Sequence, residues 1–441
     1  MADPTVTVEP GAIRGADREA VEARASKDPA WLRERRLGAW RVCEETPMPT
    51  TKLEEWRYTD VGLFRLGEVE VAAPGADGAV PAEALARFGR ERAAAGRVLQ
   101  VDARVVEIEL DEELRRKGVI LADLATAARE HAELVEPHLA TRAVPAEYGK
   151  FAALNGALWD AGVFLYVPRG VRIEQPVRVT RWLTRAGIAV FPRTLVIAEA
   201  GSHVAFVEDF ASPDFEAPAL SCGAVEVYAS DGADVQYVAL QQWGKGVRHL
   251  SMQQTIAGRD ANLDTLVVNL GASVARVDLG ARLEGPGARS DMLGLYFGHG
   301  DQHFDHNTRQ DHVAAHANSD LLYKGALYDR AHGVFRGIIK VHPKAQRTDA
   351  YQTNRNLLLS PDARAESLPN LEIEADDVRC SHGASVGQLD QEELFYLMTR
   401  GLRRHDAERL VIFGFFGEVL ERLPLPGVVE ELRAAIEAKI A

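Results

Sequence analysis

The sequence predicts a mainly β protein in which a coiled β core lies between helical ends. Three observations carry that reading. From "VFLYVPRGVRIEQPVRVTRWL", residues 163–183, helical spacing gives way to β-branched and aromatic residues alternating with polar ones for about 200 residues. Within this region a polar turn followed by an alternating strand recurs as "GSHVAFVE", "GADVQYVA", "DANLDTLV" and "GARSDMLG", with starts 31, 28 and 27 residues apart. On both sides of it the apolar residues return to a period near 3.6. A recurring turn and strand marks a coil built by stacking, because each turn of chain buries its apolar face only against its neighbours. The pattern fits a β-helix or related β-solenoid, and it leaves open a large sandwich with Greek-key connections.

The elements follow in order. Residues 17–43 are rich in Ala, Glu and Arg, and Trp31, Leu32, Trp40 and Val42 are spaced as in a helix that the prolines of "CEETPMPT" end. Thr50 or Thr51 can cap a short helix carrying Leu53, Trp56 and Tyr58, and "VAAPGADGAVPAEA" reads as a flexible connection. A short strand, "VVEIEL", and helices around "LADLATAAREHAELV" and "FAALNGALWDAG" complete an N-terminal, mostly helical domain over 1–160. The β core is expected over 161–378 and a C-terminal helical domain over 379–441. In the last, Asp390 caps a helix with Glu393 completing a reciprocal pair, and Leu394, Leu397 and Met398 form its apolar side. Gly401 stands where a helix end needs positive φ. A second helix from about Asp406 places Leu410, Phe413, Phe416 and Leu420 on one face, and Pro424 and Pro426 end it. A third stripes Val428, Leu432, Ile436 and Ile440. So much apolar surface on three short helices implies that part of it meets the β body or a partner.

Composition narrows the function. The chain is 46% hydrophobic and 26% charged, with no apolar run near the roughly 20 residues that a membrane-spanning helix needs. Its N-terminus is acidic and lacks an apolar stretch, and Cys43, Cys222 and Cys380 are too few and too scattered for a disulfide framework, so a cytoplasmic protein is expected. A net charge of −14 disfavours nucleic acid and anionic membranes as partners. No Walker sequence or dinucleotide loop is present, so no ATPase activity of its own is expected, and no C-x-x-C pair offers a four-thiol site.

Three constellations carry possible chemistry. The run "GHGDQHFDHNTRQDHVAAHANSD" holds His299, His303, His306, His312 and His316, but in a strand His303 and Asp305 share a face that His306 does not, and the 299/303 and 312/316 spacings converge only on helices. Solvent-facing or ladder roles are expected for most of them, with a site at His303 and Asp305 as the lesser option. Asp376 with Asp377, or His306 with Asp311, would suit a polysaccharide-active β-helix enzyme, but adjacent carboxylates on a strand point to opposite faces. Cys380 and His382, two apart in extended chain, project to one side and can bind a single soft metal or sulfur together. A buried thiol beside a hydrogen-bonded histidine is the alternative, and the residues alone do not choose.

The stretch "CSHGASVGQLDQEELFYLMTRGL" closely resembles the C-terminal signature of the SufB/SufD family of iron–sulfur cluster assembly scaffolds. "KLEEWRYTD", "FAALNGALWDAGVFLYVPRGVRIEQPV" and the segment from "SDLLYKGALYDRAHG" to "DDVRCSHGA" are similar to the same family, from about residue 50 to the C-terminus. His382-Gly383-Ala384 stands where SufB-like chains carry His-Glu-Ala, so the chain looks like the SufD type. The resemblance implies a right-handed parallel β-helix flanked by helical domains, and a scaffold rather than an enzyme. It implies a heterodimer with a SufB-like subunit, or a homodimer, and a SufC-like ATPase docked on the C-terminal helices through Leu394, Phe395, Leu397, Phe413 and Phe416. It further implies that Cys380 and His382 contribute to a transient iron–sulfur cluster shared across the subunit interface, with no permanently bound cofactor. Cys43 and Cys222 match no functional position and are expected to be structural. A partner-binding subunit without ligands remains the rival reading.

Overall fold

From residue 193 onward each strand pairs not with the next strand in sequence but with the next but one, always in parallel. The computed structural model describes residues 13–73, 79–89, 93–423 and 425–440. Pro424, the first twelve residues and part of the expected connection, 74–78, lie outside them.

The alternation of partners generates two facing sheets. One runs through Arg193–Ala198, Ala219–Ala229, Val247–Ala257, Val274–Leu283, His303–His312, His332–Val341 and Arg364–Ile373. The other runs through His203–Ala211, Asp234–Gln242, Asn262–Asn269, Arg289–Gly298, Asn318–Leu327, Asp349–Leu358 and Arg379–Gln388. The result is a parallel β-solenoid of about eight turns, as the repeat predicts, and not a sandwich. Between the sheets lies a continuous core that includes Val196, Val227, Val267, Val277, Tyr296 and Phe335.

The recurring polar turn has a conformational cause. Two residues before a strand of the second sheet stands a residue of positive φ: Gly201, Gly232, Asp260, Gly287, His316 and Arg347 in successive coils. These corners stack, since the backbone N–H of Gly201 donates to Asp231 O, that of Gly232 to Arg259 O, and that of His316 to Gln346 O. Glycine adopts this conformation without steric cost, which is why the first coils announce themselves in the sequence. The later corners, His316 and Arg347, do not.

Helices cover the outer faces. The N-terminal helices Arg18–Ala25, Ala30–Glu45 and the fully buried Lys150–Leu158 pack Trp40, Phe151 and Trp159 against Leu195, Leu220, Leu250 and Met252 of the first sheet. The residues expected to form a separate helical domain also contribute strands. Gly96–Val101 pairs in parallel with Val177–Trp182, Arg104–Leu110 folds back on it, and Ile120–Asp123 lies antiparallel to Gly162–Val167. A buried ion pair joins the two parts: Arg193 donates to Glu226 at 2.8 Å, to Asn155 Oδ1 and to Val144 O, both at 2.9 Å.

At the other end the strand Arg379–Gln388 carries the solenoid past residue 378, and the helices start only after it. Asp390 caps Gln391–Thr399 by accepting from the N–H of Glu392 and Glu393, and Gly401 follows at φ +94°. Arg404–Glu421 and Pro426–Ile440 lie on the outer face of the second sheet, where Ile412, Phe416, Val419, Leu432 and Ile436 meet Val238, Leu266, Leu293 and Leu322. Pro426 thus begins the third helix. Leu410, expected on the apolar face, is exposed, and Ile412 takes the buried place, because the face that meets the sheet is set by the sheet and not by the helix alone. No helix among the described residues is long and apolar enough to cross a membrane.

Candidate functional site at the open end of the solenoid

The last coil ends without a cover on either sheet. Arg364–Ile373 and Arg379–Gln388 are the outermost strands, each hydrogen-bonded along one edge only. Cys380 pairs in register with Ala350, and His382 with Gln352. Cys380 packs against Ile339, Val341, Ala345, Ala350 and Ala375, so its side of the strand faces between the sheets. Residues 380, 382, 384 and 386 alternate onto that side. In an inner coil they would be buried. Here nothing among the described residues stacks on them, so His382 is exposed and Cys380 half-buried. On the facing sheet Leu371 and Ile373 continue the inward rows of Ile339 and Val341.

The thiol of Cys380 is not an activated nucleophile in this chain. Partial burial and the neighbouring Asp349 carboxylate push its pKa up, against a smaller opposing effect of the Ala350 backbone hydrogen bond. A metal ion would offset both by taking the thiolate as ligand. Among the described residues no three His, Cys, Asp or Glu side chains are grouped to hold a metal ion. What the chain offers at its open end is one sulfur and one imidazole, side by side. Gln352, buried beneath His382, donates to Asn370 O at 3.3 Å and leaves its Oε1 unpaired.

The other candidates do not assemble. His303 and Asp305 share the outward face, but both are used: Thr59 Oγ donates to Asp305 at 2.5 Å and lies 2.8 Å from His303 Nε2, while Arg276 pairs with the same carboxylate. His306 points inward onto Tyr296, with ring centroids 4.6 Å apart, and its Nε2 meets Asn269. His312 meets Ser319 at 2.7 Å, His299 meets the carbonyl of Lys439, and His316 is a corner residue. The ladder roles hold for His303, His306 and His312, which are buried and not solvent-facing. Asp311 lies on the face opposite His306, held by Arg282 and His342, so the two form no acid/base pair. Asp376 and Asp377 are exposed in the turn before the last strand. Cys43 and Cys222 are buried, and burial raises both thiols.

The helices rooted after Gln388 carry the largest exposed apolar side chains of the molecule. Phe395 is 68% and Tyr396 56% exposed, and Met398 of the same helix and Leu410 of the next are exposed as well. Of the residues expected at a partner surface, Phe395 is open, Leu397 and Phe413 are partly buried, and Leu394 and Phe416 are enclosed in the chain's own packing. Sequence reasoning missed the paired open edges, which no local pattern marks.

Two family models match the chain in succession. The SufBD protein N-terminal region covers residues 17–179, and the SUF system FeS cluster assembly, SufBD core domain covers residues 181–415. The chain belongs to the SufBD family. It is 33% identical to the iron–sulfur cluster assembly protein SufD of Bacillus subtilis, over 98% of this chain and 99% of the relative. It is 28% identical to an iron–sulfur cluster assembly SufBD family protein of Staphylococcus epidermidis, over 92% and 89% of the two chains. The SufBD core model thus spans the solenoid and its open end, and the SufBD N-terminal model the helices and strands that begin it. The family segment "KLEEWRYTD" has a structural role: Trp56 lies under the Arg276 guanidinium at 3.9 Å and stacks on Phe151, and Thr59 grips His303 and Asp305.

Proposed function

We propose that this chain is a SufD-like scaffold subunit that supplies half of a transient iron–sulfur site at the open end of its solenoid. The observation that carries the reading is the placement of Cys380 and His382 together on the inward face of a strand with one bare edge. Thiolate and imidazole are both competent iron ligands, and two of them leave coordination positions for a second subunit. A SufB-like chain, or a second copy of this one, pairs with the open edges and completes the set. The cluster is cargo: a shared site opens when the subunits part.

A SufC-like ATPase docks on the helices after Asp390, where Phe395 and Tyr396 are open to solvent. These helices continue directly from the ligand strand, so a movement imposed on them reaches Cys380 through the buried Leu389 and the Asp390 cap. The chain is a scaffold, and ATP hydrolysis belongs to the partner. Its place of work is the cytoplasm.

The test replaces Cys380 and His382 by Ala together, then follows assembly with the SufB-like and SufC-like subunits and visible absorbance after anaerobic loading with iron and sulfide. Intact assembly with lost absorbance is the expected result. Normal absorbance in the variant contradicts the ligand role and leaves a structural subunit. Thiol labelling of Cys380 in the assembled complex should also rise with ATP.

A further inference from the structure

A cleft of about 560 Å³ lies on the outward face of the first sheet beneath the segment Thr46–Trp56, and it reaches Arg336 and Ile338 on the strand next to the outermost one. Its size falls within the roughly 300–1,000 Å³ of small-molecule sites. Its rim holds two large apolar side chains that folding leaves exposed, Leu53 at 49% and Tyr148 at 42%. Its floor holds three arginines, which stand in different electrostatic circumstances.

Arg276 is neutralised, buried between Asp305 and Asp278 and covered by Trp56. Among the described residues Arg336 pairs with Glu54, a mostly exposed partner at 3.2 Å. Arg309 is exposed and makes no side-chain hydrogen bond or ion pair among the described residues. In register Arg309 stands beside Ile338, and Arg336 precedes Ile338 by two, so the two guanidiniums are diagonal neighbours on adjacent coils of one outward face. Diagonal neighbours on adjacent strands stand about 7–8 Å apart, a spacing at which two long guanidinium side chains can bracket one oxyanion. In a chain of net charge −14 an under-neutralised pair of arginines in an apolar cleft needs a ligand-side explanation.

We propose that this cleft binds a small organic oxyanion, a phosphate or carboxylate on a planar apolar body, with Arg309 and Arg336 on the oxyanion and Leu53, Tyr148 and Ile338 against the body. The site faces outward and shares no residue with the mouth at Cys380 and His382, so it stands whether or not the cluster reading does. Isothermal titration of the full chain with adenosine monophosphate, indole-3-acetate, inorganic phosphate and adenosine tests it. At least one of the two aromatic anions should bind about tenfold or more tighter than both phosphate and adenosine. Arg309→Ala with Arg336→Ala should weaken it by about tenfold or more at unchanged melting temperature. Binding of adenosine monophosphate alone assigns a phosphate, of indole-3-acetate alone a carboxylate, and of both a general oxyanion site. Absence of binding by both aromatic anions, phosphate binding as tightly as they do, or an unaffected double variant overturns the proposal. Should the double variant fail to fold, Arg309→Ala alone decides, since that side chain is exposed.

Discussion

The solenoid begins and ends differently. At its start the coil is finished within the chain: the outermost strand of one sheet, Arg104–Leu110, is antiparallel and carries Glu107 and Glu109, and the outermost strand of the other, Ile120–Asp123, has four residues. At its end two ten-residue strands stop with one edge bare. Arg379–Gln388 has no acidic residue and no Lys or Arg after Arg379, and Leu371, Ile373 and Val386 are exposed on the inward rows. Short, charged or antiparallel edges are how proteins avoid adding further strands, and long neutral ones invite them. The start of the coil is therefore built to stop, whereas at its end the long neutral edge of Arg379–Gln388, which carries Cys380 and His382, can take a further strand, and Arg364–Ile373 beside it is as long but carries Arg364, Glu366, Pro369 and Glu372.

Four experiments sharpen or break that contrast. Phe164→Ala, in the packed start of the coil, should cost about 3–5 kcal/mol in a urea titration, and a loss under about 1 kcal/mol would mean that this end is not part of the cooperative fold. At the open end Leu371→Lys with Val386→Lys should leave stability within about 1 kcal/mol. The same pair should weaken association with a SufB-like subunit about hundredfold, some 2.7 kcal/mol, by sedimentation. An undisturbed complex would refute pairing through that end.

Acid provides the third experiment. Burial lowers His303, His306 and His312 to about 4, and His249 to about 3. The unfolded chain, with ordinary histidines, then binds more protons between about pH 6.5 and 4. Stability must fall as the pH drops through that window, by on the order of 1–3 kcal/mol per histidine, with the loss from His249 continuing to about pH 3. Three of these four residues lie on His303–His312, two coils inside the open end, so melting curves at pH 6.5 and 4.5 should differ less in His306→Asn than in the parent chain. Last and smallest, Cys380→Ser should change stability by no more than about 0.5 kcal/mol, because the site is half-open. A larger loss in thermal denaturation would favour a packing role for the sulfur.

How much of this could be read beforehand followed from where the physics is local. The corners at Gly201, Gly232, Asp260 and Gly287 need positive φ and so print a repeat, whereas His316 and Arg347 take the same conformation and hide the coils that follow. The cap at Asp390 and the shared side of Cys380 and His382 are properties of a few adjacent residues, and both were legible. The strands Gly96–Val101 and Ile120–Asp123 were not, because they exist only by pairing with Val177–Trp182 and Gly162–Val167. Nor was the burial of Leu394, enclosed with Leu389 and Ala407, or of Phe416, which packs on Phe297 more than a hundred residues away. The openness of the last coil is least local of all, being the lack of a neighbour among the described residues.

The central claim is that the open end is where the partner sits. Hydrogen exchange of the amides of Arg364–Ile373 and Arg379–Gln388 tests it most directly, measured in the chain alone and again with a SufB-like subunit. The account predicts fast exchange along both free edges alone and strong protection of both in the complex, with Gly96–Val101 unchanged. Equal exchange in the two states, in a complex shown to be assembled, would contradict it.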